Sequence, residues 1–415
     1  MTRLLPGLRR GTMSVPVSKS HAHRVLIAEF LAGRTACLAP TEGDCDDIAA
    51  TKRCLKSLEC SLSVLKRRDS ASPFEEAVPV LKRRDSASPL GVAPMRGEAV
   101  SHRFEQEDDP SISLDCGESG TTRRLLGPVV AALGVTPDWI MKGRLASRPQ
   151  IDYATLAPGV QTLAGDVSSQ FVSGLLFALP LLKGDSEIRL TSPLASRGYV
   201  AMTLGVLKAY GVRVEETTTG FRVPGNQRFV APGERPSFET DWSGAAFPLA
   251  LQELGNTVEI APESLAGLRP DSLQPDRVVG EILAKLAKGG DVAIDVDECP
   301  DLFPVLAVVA AHRADATRFT GVRRLRLKES DRVAAMKDAL NRFGITVMAT
   351  DDAFEVYGRI TPLQGGAFTS YSDHRVAMAL AVGATVADSP VEIDDVACAA
   401  KSYPGFFAQF ASLAF

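Results

Sequence analysis

Six stretches of this chain open on small or polar residues and then run into apolar, small-residue sequence: SKSHAHRVLIAEFLAG, ESGTTRRLLGPVVAALG, VSSQFVSGLLFALPLL, DWSGAAFPLALQELG, CPDLFPVLAVVAAHRA and SDHRVAMALAVGATVA. A helix that is apolar nearly all round has no face to turn to water, so each is expected to be a buried helix. Amphipathic segments fall between them: DDIAATKRCLKSLEC, SRGYVAMTLGVLKAYG, QPDRVVGEILAKLAKGG and ESDRVAAMKDALNRFG. In the last, Val333, Met336, Leu340 and Phe343 fall on one stripe and Gly344 supplies the stop. Short β-type pieces such as SEIRLTS, VEIAP, ITVMA and FEVYG link them. The pattern predicts an α/β fold of about six units, each with one buried helix, one exposed helix and a few strands. Three units per half would give two similar lobes, buried helices inside and sheets outside. The polar helix openings would then converge on the gap between the lobes, a place where ligands bind.

The length of 415 residues exceeds what one core usually organises and agrees with two lobes. A net charge of −4 supplies no overall positive field, which argues against a general nucleic-acid binder and requires any anion site to be built locally. There is no apolar run long enough to span a membrane, and the opening MTRLLPGLRRGTM does not read as a signal peptide, so a cytoplasmic location is expected. The seven cysteines are scattered and form no CxxC pair, which predicts reduced thiols and no zinc site. His21 and His23 are spaced to point to different faces of a helix, so no metal site is expected there. Phosphate-cradling GxGxxG and GxxxxGK[ST] patterns are absent, as is GxSxG. The decapeptide VLKRRDSASP occurs at 64–73 and again at 80–89, and residues 61–110 read as a loop insertion. An RNA-binding patch is the alternative there, but no aromatic residues interleave with its Lys and Arg.

The first buried segment is preceded by SVPVSKSHAHR, which crowds cations and hydroxyls at a helix start. Unpaired N–H groups and the positive dipole end favour an anion there, and Lys19 and Arg24 add to it; a capped start with a solvated Lys is the plainer reading. The other openings repeat the chemistry. CGESGTTRR carries Thr121 and Arg124, GRLASRP carries Arg148, GDVSSQ carries Ser168, Ser169 and Gln170, and PLASRGY carries Ser196 and Tyr199. CPDLFP adds Asp301, LRLKESDR adds Lys328, Glu329 and Arg332, SDHR adds Asp373, His374 and Arg375, and AAKSYP adds Lys401. A pocket so rich in Arg, Lys and Ser fits two phosphates and one or two carboxylates, because Arg forks hold such oxygens bidentately.

In this order, from residue 14 to about 407, the motifs resemble those of the 5-enolpyruvylshikimate-3-phosphate synthase family, the enolpyruvyl transferases of the shikimate pathway. The resemblance implies a two-lobed, inside-out α/β barrel of six βαβαββ units whose chain crosses between lobes twice. Residues 1–16 plus 237–415 would form one lobe and 17–236 the other. It implies transfer of the enolpyruvyl group of phosphoenolpyruvate to the 5-hydroxyl of shikimate 3-phosphate by addition and elimination, on the way to chorismate and the aromatic amino acids. It also implies a monomer with no cofactor and no nucleic-acid or membrane partner.

Carried over residue by residue, Asp301 matches the carboxylate facing the 5-hydroxyl and Glu329 the one facing C3, with Lys19 near the bridging oxygen and His374 at the phosphate end. Lys19, Ser20, Arg24, Ser168, Ser169, Gln170, Ser196, Tyr199, Asp301 and Lys328 match the shikimate 3-phosphate side. Lys19, Gly120, Arg124, Arg148, Gln170, Arg332, Arg375 and Lys401 match the phosphoenolpyruvate side. Each has a plainer reading: Asp301 as a helix cap, Glu329 as a local ion pair, and His374 as a hydrogen-bonded structural residue.

Two positions depart from the common pattern: Glu118 and Arg324 each stand where Asn is usual. A carboxylate near phosphoenolpyruvate would repel it, so Glu118 is expected to hold a neighbouring Arg or Lys. One rival is the sister enzyme acting on UDP-N-acetylglucosamine, which usually carries a reactive Cys before its RP; MKGRLASR at 141–148 contains none. The other is a non-catalytic anion-binding homologue, against which stand the intact Lys19, Asp301, Glu329, His374 and Lys401.

Overall fold

The computed structural model describes residues 1–68, 112–234 and 236–415. Its first half carries helices α1 (Lys19–Leu31), α2 (Asp46–Arg68), α3 (Gly120–Ala132), α4 (Ser169–Ala178) and α5 (Arg197–Ala209). The second half carries α6 (Trp242–Glu253), α7 (Pro262–Gly267), α8 (Val279–Ala287), α9 (Phe303–Ala311), α10 (Arg332–Arg342), α11 (His374–Ala384) and α12 (Phe406–Ser412). The all-apolar segments are α1, α3, α4, α6, α9 and α11; in α9 and α11 every residue is buried, as their lack of a polar face requires. The amphipathic segments are α2, α5, α8 and α10, the last closed by Gly344 at φ +78°.

One chain order recurs. Strands Gly159–Leu163 and Ser186–Leu190 pair in parallel across α4, and Gly220–Val223 and Glu215–Thr217 add antiparallel after α5. Strands Val292–Asp295 and Ala316–Thr320 pair in parallel across α9, and Ala353–Tyr357 and Thr346–Ala349 add antiparallel after α10. Both sheets therefore show strand–helix–strand–helix–strand–strand with the same neighbours. The parallel pair needs a crossover, and the crossover helix is the apolar one, which packs beneath its own sheet.

Two large hydrophobic clusters result. One gathers Leu4 and Met13 with residues from Ala246 to Leu413, the other residues from Ala22 to Phe229. Between them two extended segments run side by side: Ser18 N donates to Glu239 O at 2.7 Å and Asp241 N to Pro16 O at 2.9 Å. Within the second cluster α3 and α4 approach closely at Gly174, where any Cβ would run into the Arg124 carbonyl oxygen and come within 2.8 Å of Pro128 Cγ. That contact fixes the starts of α3 and α4 next to one another.

Two expectations need correction. Helix α2 continues to Arg68, so residues 61–68 are helical rather than part of a loop insertion; its acidic first turn and sustained amphipathic pattern carry it on. The remainder of that insertion, with the second decapeptide copy, lies outside the described residues. Nor does each unit have its own exposed helix. Between α3 and α4, and again directly after α11, the place is taken by the short 3₁₀ turns Gly143–Ser147 and Ala397–Lys401.

Candidate active site

Helix starts supply most of the side chains in the cleft between the two clusters. Ser18 caps α1, accepting from His21 N at 3.4 Å, and places Lys19, Ser20 and Arg24 on its first turns. Ser119 caps α3 ahead of Gly120, Thr121 and Arg124; Ser168 caps α4 ahead of Ser169 and Gln170. Asp373 caps α11, accepting from Arg375 N at 2.9 Å, and sets His374 at its mouth. Three 3₁₀ turns do the rest: Gly143–Ser147 leads into Arg148, Arg323–Leu327 carries Arg324 and leads into Lys328 and Glu329, and Ala397–Lys401 ends on Lys401. A tight turn between sheet and helix holds a long cation close to the cleft without a surface helix in its way.

The cleft encloses about 900 Å³ of empty space, open solvent at its mouth included. Lys19, Ser20, Arg24, Arg124, Arg148, Ser168, Ser169, Gln170, Ser196, Tyr199, Asp301, Lys328, Glu329 and His374 all line it, bringing residues 355 positions apart in sequence onto one surface. Gly120, Arg332, Arg375 and Lys401 are not in that lining. Gly120 lies beneath it, where a Cβ would stand 3.0 Å from Arg148 Nη1 and 3.5 Å from Arg124 Nη1. Lys401 opens into an adjoining hollow shared with Glu118, Arg148 and Glu329. Arg332 and Arg375 sit behind Asp301.

Arg332 is the centre of the charge network. Its Nη1 donates to Asp301 Oδ1 at 2.7 Å, its Nη2 to Glu329 Oε2 at 3.1 Å and its Nε to Asp373 Oδ2 at 2.9 Å. Arg375 Nη2 lies 3.5 Å from Asp301 Oδ2 and 3.8 Å from Asp241 Oδ2, and Lys328 Nζ lies 3.8 Å from Asp301 Oδ1. Burial pushes the Asp301 carboxyl up, but Lys328, Arg332 and Arg375 together hold it well below the usual carboxylate range. Glu329 is likewise raised by burial and more than brought back by Arg332, Arg148 at 3.7 Å and Lys401 at 4.0 Å. Both carboxyl groups are therefore ionised at neutral pH. Asp301 does not cap α9, whose N-cap residue is Leu302. Glu329 does pair locally with Arg332, and also across the cleft with Arg148.

Burial, and then the positive charge of Arg375 and Lys19, push His374 well below its ordinary value, so it is neutral. Neither ring nitrogen has a hydrogen-bond partner among the described residues. Lys19 is held as a cation: burial alone would lower it, and Asp47, whose Oδ2 accepts from Nζ at 3.0 Å, reverses that with help from Glu329 and Asp301. Lys328 has no such close partner, and burial takes it down to about 8 against the pull of Asp301.

Arg24 and Ser196 line the cleft with their donors already engaged. Arg24 Nε donates to Thr203 Oγ1 at 2.7 Å, Nη1 to Ser20 O at 2.6 Å and Nη2 to Tyr199 O at 3.0 Å. It braces α1 against α5 more than it faces a ligand. Ser196, in the left-handed region at φ +52°, donates its hydroxyl to Asp297 O at 3.0 Å. Glu118 is met by Lys401 at 3.6 Å, the cation its position called for.

Sequence reasoning did not find Asp47 or Asp241, the carboxylates that balance Lys19 and Arg375. Their only signal is indirect, since a buried cation must have a counter-charge. Thr121 was visible as a motif residue, and it accepts from Gln170 Nε2 at 2.8 Å while Gln170 Oε1 accepts from Arg124 Nη1 at 2.9 Å.

Comparison with known proteins points one way. A family model described as EPSP synthase (3-phosphoshikimate 1-carboxyvinyltransferase) matches residues 143–410. The chain is 34% identical to a 3-phosphoshikimate 1-carboxyvinyltransferase of Clostridium kluyveri over 98% of its own length and 96% of the relative's. It is 32% identical to the protein of that name from Clostridioides difficile, over 99% and 97%. Among solved structures, an EPSP synthase from Acinetobacter baumannii superposes with a TM-score of 0.64 at 22% identity, covering 99% of this chain and 97% of that one. The enolpyruvyl transferase NikO from Streptomyces tendae does so with a TM-score of 0.56 at 12% identity, covering 99% and 96%. At such identities these two structures speak for the fold.

Proposed function

This chain belongs to the EPSP synthase (3-phosphoshikimate 1-carboxyvinyltransferase) family, and from its activity, transfer of the enolpyruvyl group of phosphoenolpyruvate to shikimate 3-phosphate with release of phosphate, we propose how the cleft performs it. The carrying observation is Arg332: one buried guanidinium bonds Asp301 at 2.7 Å and Glu329 at 3.1 Å, which fixes two ionised carboxylates at one end of a cation-rich cleft.

Shikimate 3-phosphate occupies the side of Ser168, Ser169, Tyr199 and Lys328, and phosphoenolpyruvate the side of Arg124, Arg148 and Lys401 with Gly120 as floor. Asp301 takes the proton of the 5-hydroxyl as that oxygen attacks C2, and C3 gains a proton from Glu329. An ionised Glu329 cannot donate, and the substrate itself solves this. The anionic groups of phosphoenolpyruvate claim Arg148 and Lys401, two of the cations that hold Glu329 low, so its proton affinity rises and it takes a proton from water as the cleft fills. In the second half C3 returns its proton to Glu329, the C2–O bond to phosphate breaks, and the proton held by Asp301 departs with phosphate. Lys19, kept charged by Asp47, neutralises the leaving oxygen. Neutral His374 lies at the same end and adds no competing charge for the phosphate.

The two hydrophobic clusters support reading residues 1–16 plus 237–415 as one lobe and 17–236 as the other, each an inside-out α/β barrel of three βαβαββ units. A monomer working in the cytoplasm belongs to the same reading. Among the described residues no helix is long and apolar enough to cross a membrane.

The test is phosphate release from phosphoenolpyruvate plus shikimate 3-phosphate by the unmodified chain and by Asp301→Asn and Glu329→Gln. Turnover in the first and a loss of at least about a hundredfold in each variant are expected. Wild-type rates in either variant would remove the acid and base assignment.

A further inference from the structure

The start of α5 is expected to help grip the acceptor's phosphate, yet its first backbone amides and the Ser196 hydroxyl are already engaged. Glu298 accepts from Arg197 N at 3.1 Å and from Gly198 N at 3.2 Å, so the first amides of the helix are occupied by a carboxylate from across the cleft. Ser196 has one hydroxyl proton and gives it to Asp297 O. A phosphate arriving at this end meets the hydroxyls of Ser168 and Ser169, but from α5 it meets only acceptor oxygen.

Arg324 fills that gap. It lines the cleft beside Ser168, Ser169, Ser196 and Lys328. Its Nε and Nη2 donate to Asp297 Oδ1 at 2.9 and 2.8 Å, and Nη2 also reaches Ser196 Oγ at 2.8 Å. A guanidinium carries five N–H donors in a rigid fork; these bonds use one edge and lock the plane, while Nη1 makes no hydrogen bond among the described residues. Asp297 balances the Arg324 charge and leaves an oriented donor edge behind.

We propose that Arg324 is a specificity-determining residue that reads the phosphate of the acceptor, taking over the donor role that Ser196 has given to Asp297. This rests on the reading of the cleft as the site for shikimate 3-phosphate and sharpens it: the chain selects the phosphorylated acceptor with a charge-assisted fork beside Lys328, and Ser196 serves as a strut for that fork.

Direct titration calorimetry separates this from the functional reading, because it needs no turnover. Wild type, Arg324→Gln and Arg324→Lys are titrated with shikimate 3-phosphate and with shikimate, which lacks the phosphate. The expected result is at least a tenfold weaker Kd for shikimate 3-phosphate in Arg324→Gln, partial recovery in Arg324→Lys, and an unchanged Kd for shikimate. Equal Kd values for shikimate 3-phosphate in wild type and Arg324→Gln overturn the proposal. So does an equal weakening for both ligands, which would make Arg324 a strut between the two halves and nothing more. Failure of the wild type to release phosphate in the turnover assay would instead fall on the proposed function.

Discussion

The two walls of the cleft are built on opposite principles. The wall made by the starts of α3 and α4 uses mostly neutral donors, the hydroxyls of Ser168, Ser169 and Thr121 and the amide of Gln170, with Arg124 as its lining cation; Lys19, Arg24 and Arg148 flank it from α1 and from the turn at Gly143–Ser147. Burial, and then the positive charge of Arg148, lower Arg124 to about 10 against the pull of Glu329. The wall made by α9, α10 and α11 packs Asp301, Glu329 and Asp373 against Lys328, Arg332 and Arg375 within bonds of 2.7 to 3.8 Å. A neutral wall can bind an anion without changing any protonation state. A wall of matched charges holds its carboxylates ionised until a ligand upsets the match. The first suits recognition and the second suits proton transfer, and the contrast can be broken at four points.

The largest effect belongs to the charged wall. Asp301→Asn keeps the shape and leaves Arg332, Arg375 and Lys328 with one carboxylate fewer, and turnover is expected to fall by about 10² to 10⁴ with a much smaller change in KM for either substrate. Steady-state kinetics with phosphate detection checks it. A fall in affinity with kcat intact would assign Asp301 to binding and erase the difference between the walls.

Next is Lys401→Ala. Lys401 stands between Glu118 at 3.6 Å and Glu329 at 4.0 Å, so its loss removes the cation proposed for phosphoenolpyruvate and unbalances two carboxylates together. KM for phosphoenolpyruvate is expected to rise by about 30-fold, the equivalent of about 2 kcal/mol, with KM for shikimate 3-phosphate within about twofold. A parallel rise in both would mean the hollow around Lys401 serves the closure of the cleft instead of one substrate.

How much of this contrast a sequence shows depends on distance along the chain. The buried helices and their polar starts were legible because both signals are local: an apolar run with no wet face, and Ser or Asp at its head. Nearly all of the neutral wall follows, since Ser168, Ser169 and Gln170 are simply the first residues of α4. The charged wall is legible as residues but not as a network. That Arg332 faces Asp301 and Asp373, 31 and 41 positions away, is set by packing of α10 against α9 and α11. The saturation of Arg24 by α5, 179 positions from its partner Thr203, is of the same kind. The 3₁₀ turns before Arg148 and at Lys401 carry too few residues for a periodic signal, and the expectation of one exposed helix per unit, extended from the four amphipathic segments, fails there.

A third, smaller effect is a pH dependence at the seam of the two walls. Lys328 is lowered by burial to about 8, so it is charged below that pH and neutral above it. Binding of a phosphate dianion favours the charged form, so affinity for shikimate 3-phosphate is expected to be full at pH 7 and to weaken several-fold between pH 8 and about 9.5 as the free enzyme loses this proton. KM for shikimate 3-phosphate measured across that range checks it. Lys328→Arg, which stays protonated, should flatten the curve; a curve of the same steepness in that variant would place the titrating group elsewhere.

The smallest effect tests the neutral wall by its lightest part. Ser168 caps α4, its hydroxyl accepting from Gln170 N at 3.3 Å, while it also lines the cleft. Ser168→Ala removes a cap worth about 1 kcal/mol and one neutral donor, so the thermal midpoint should drop by about 1 to 2 °C and the Kd for shikimate 3-phosphate rise several-fold, with the pH profile of kcat unmoved. The unmoved profile is the decisive reading. The Ser168 hydroxyl is partnered by the backbone amide of Gln170, so deleting it subtracts binding without touching the protonation of Asp301 or Glu329. If the profile shifts, the hydroxyl of Ser168 is coupled to the charged wall, and recognition and proton transfer share one network across the cleft.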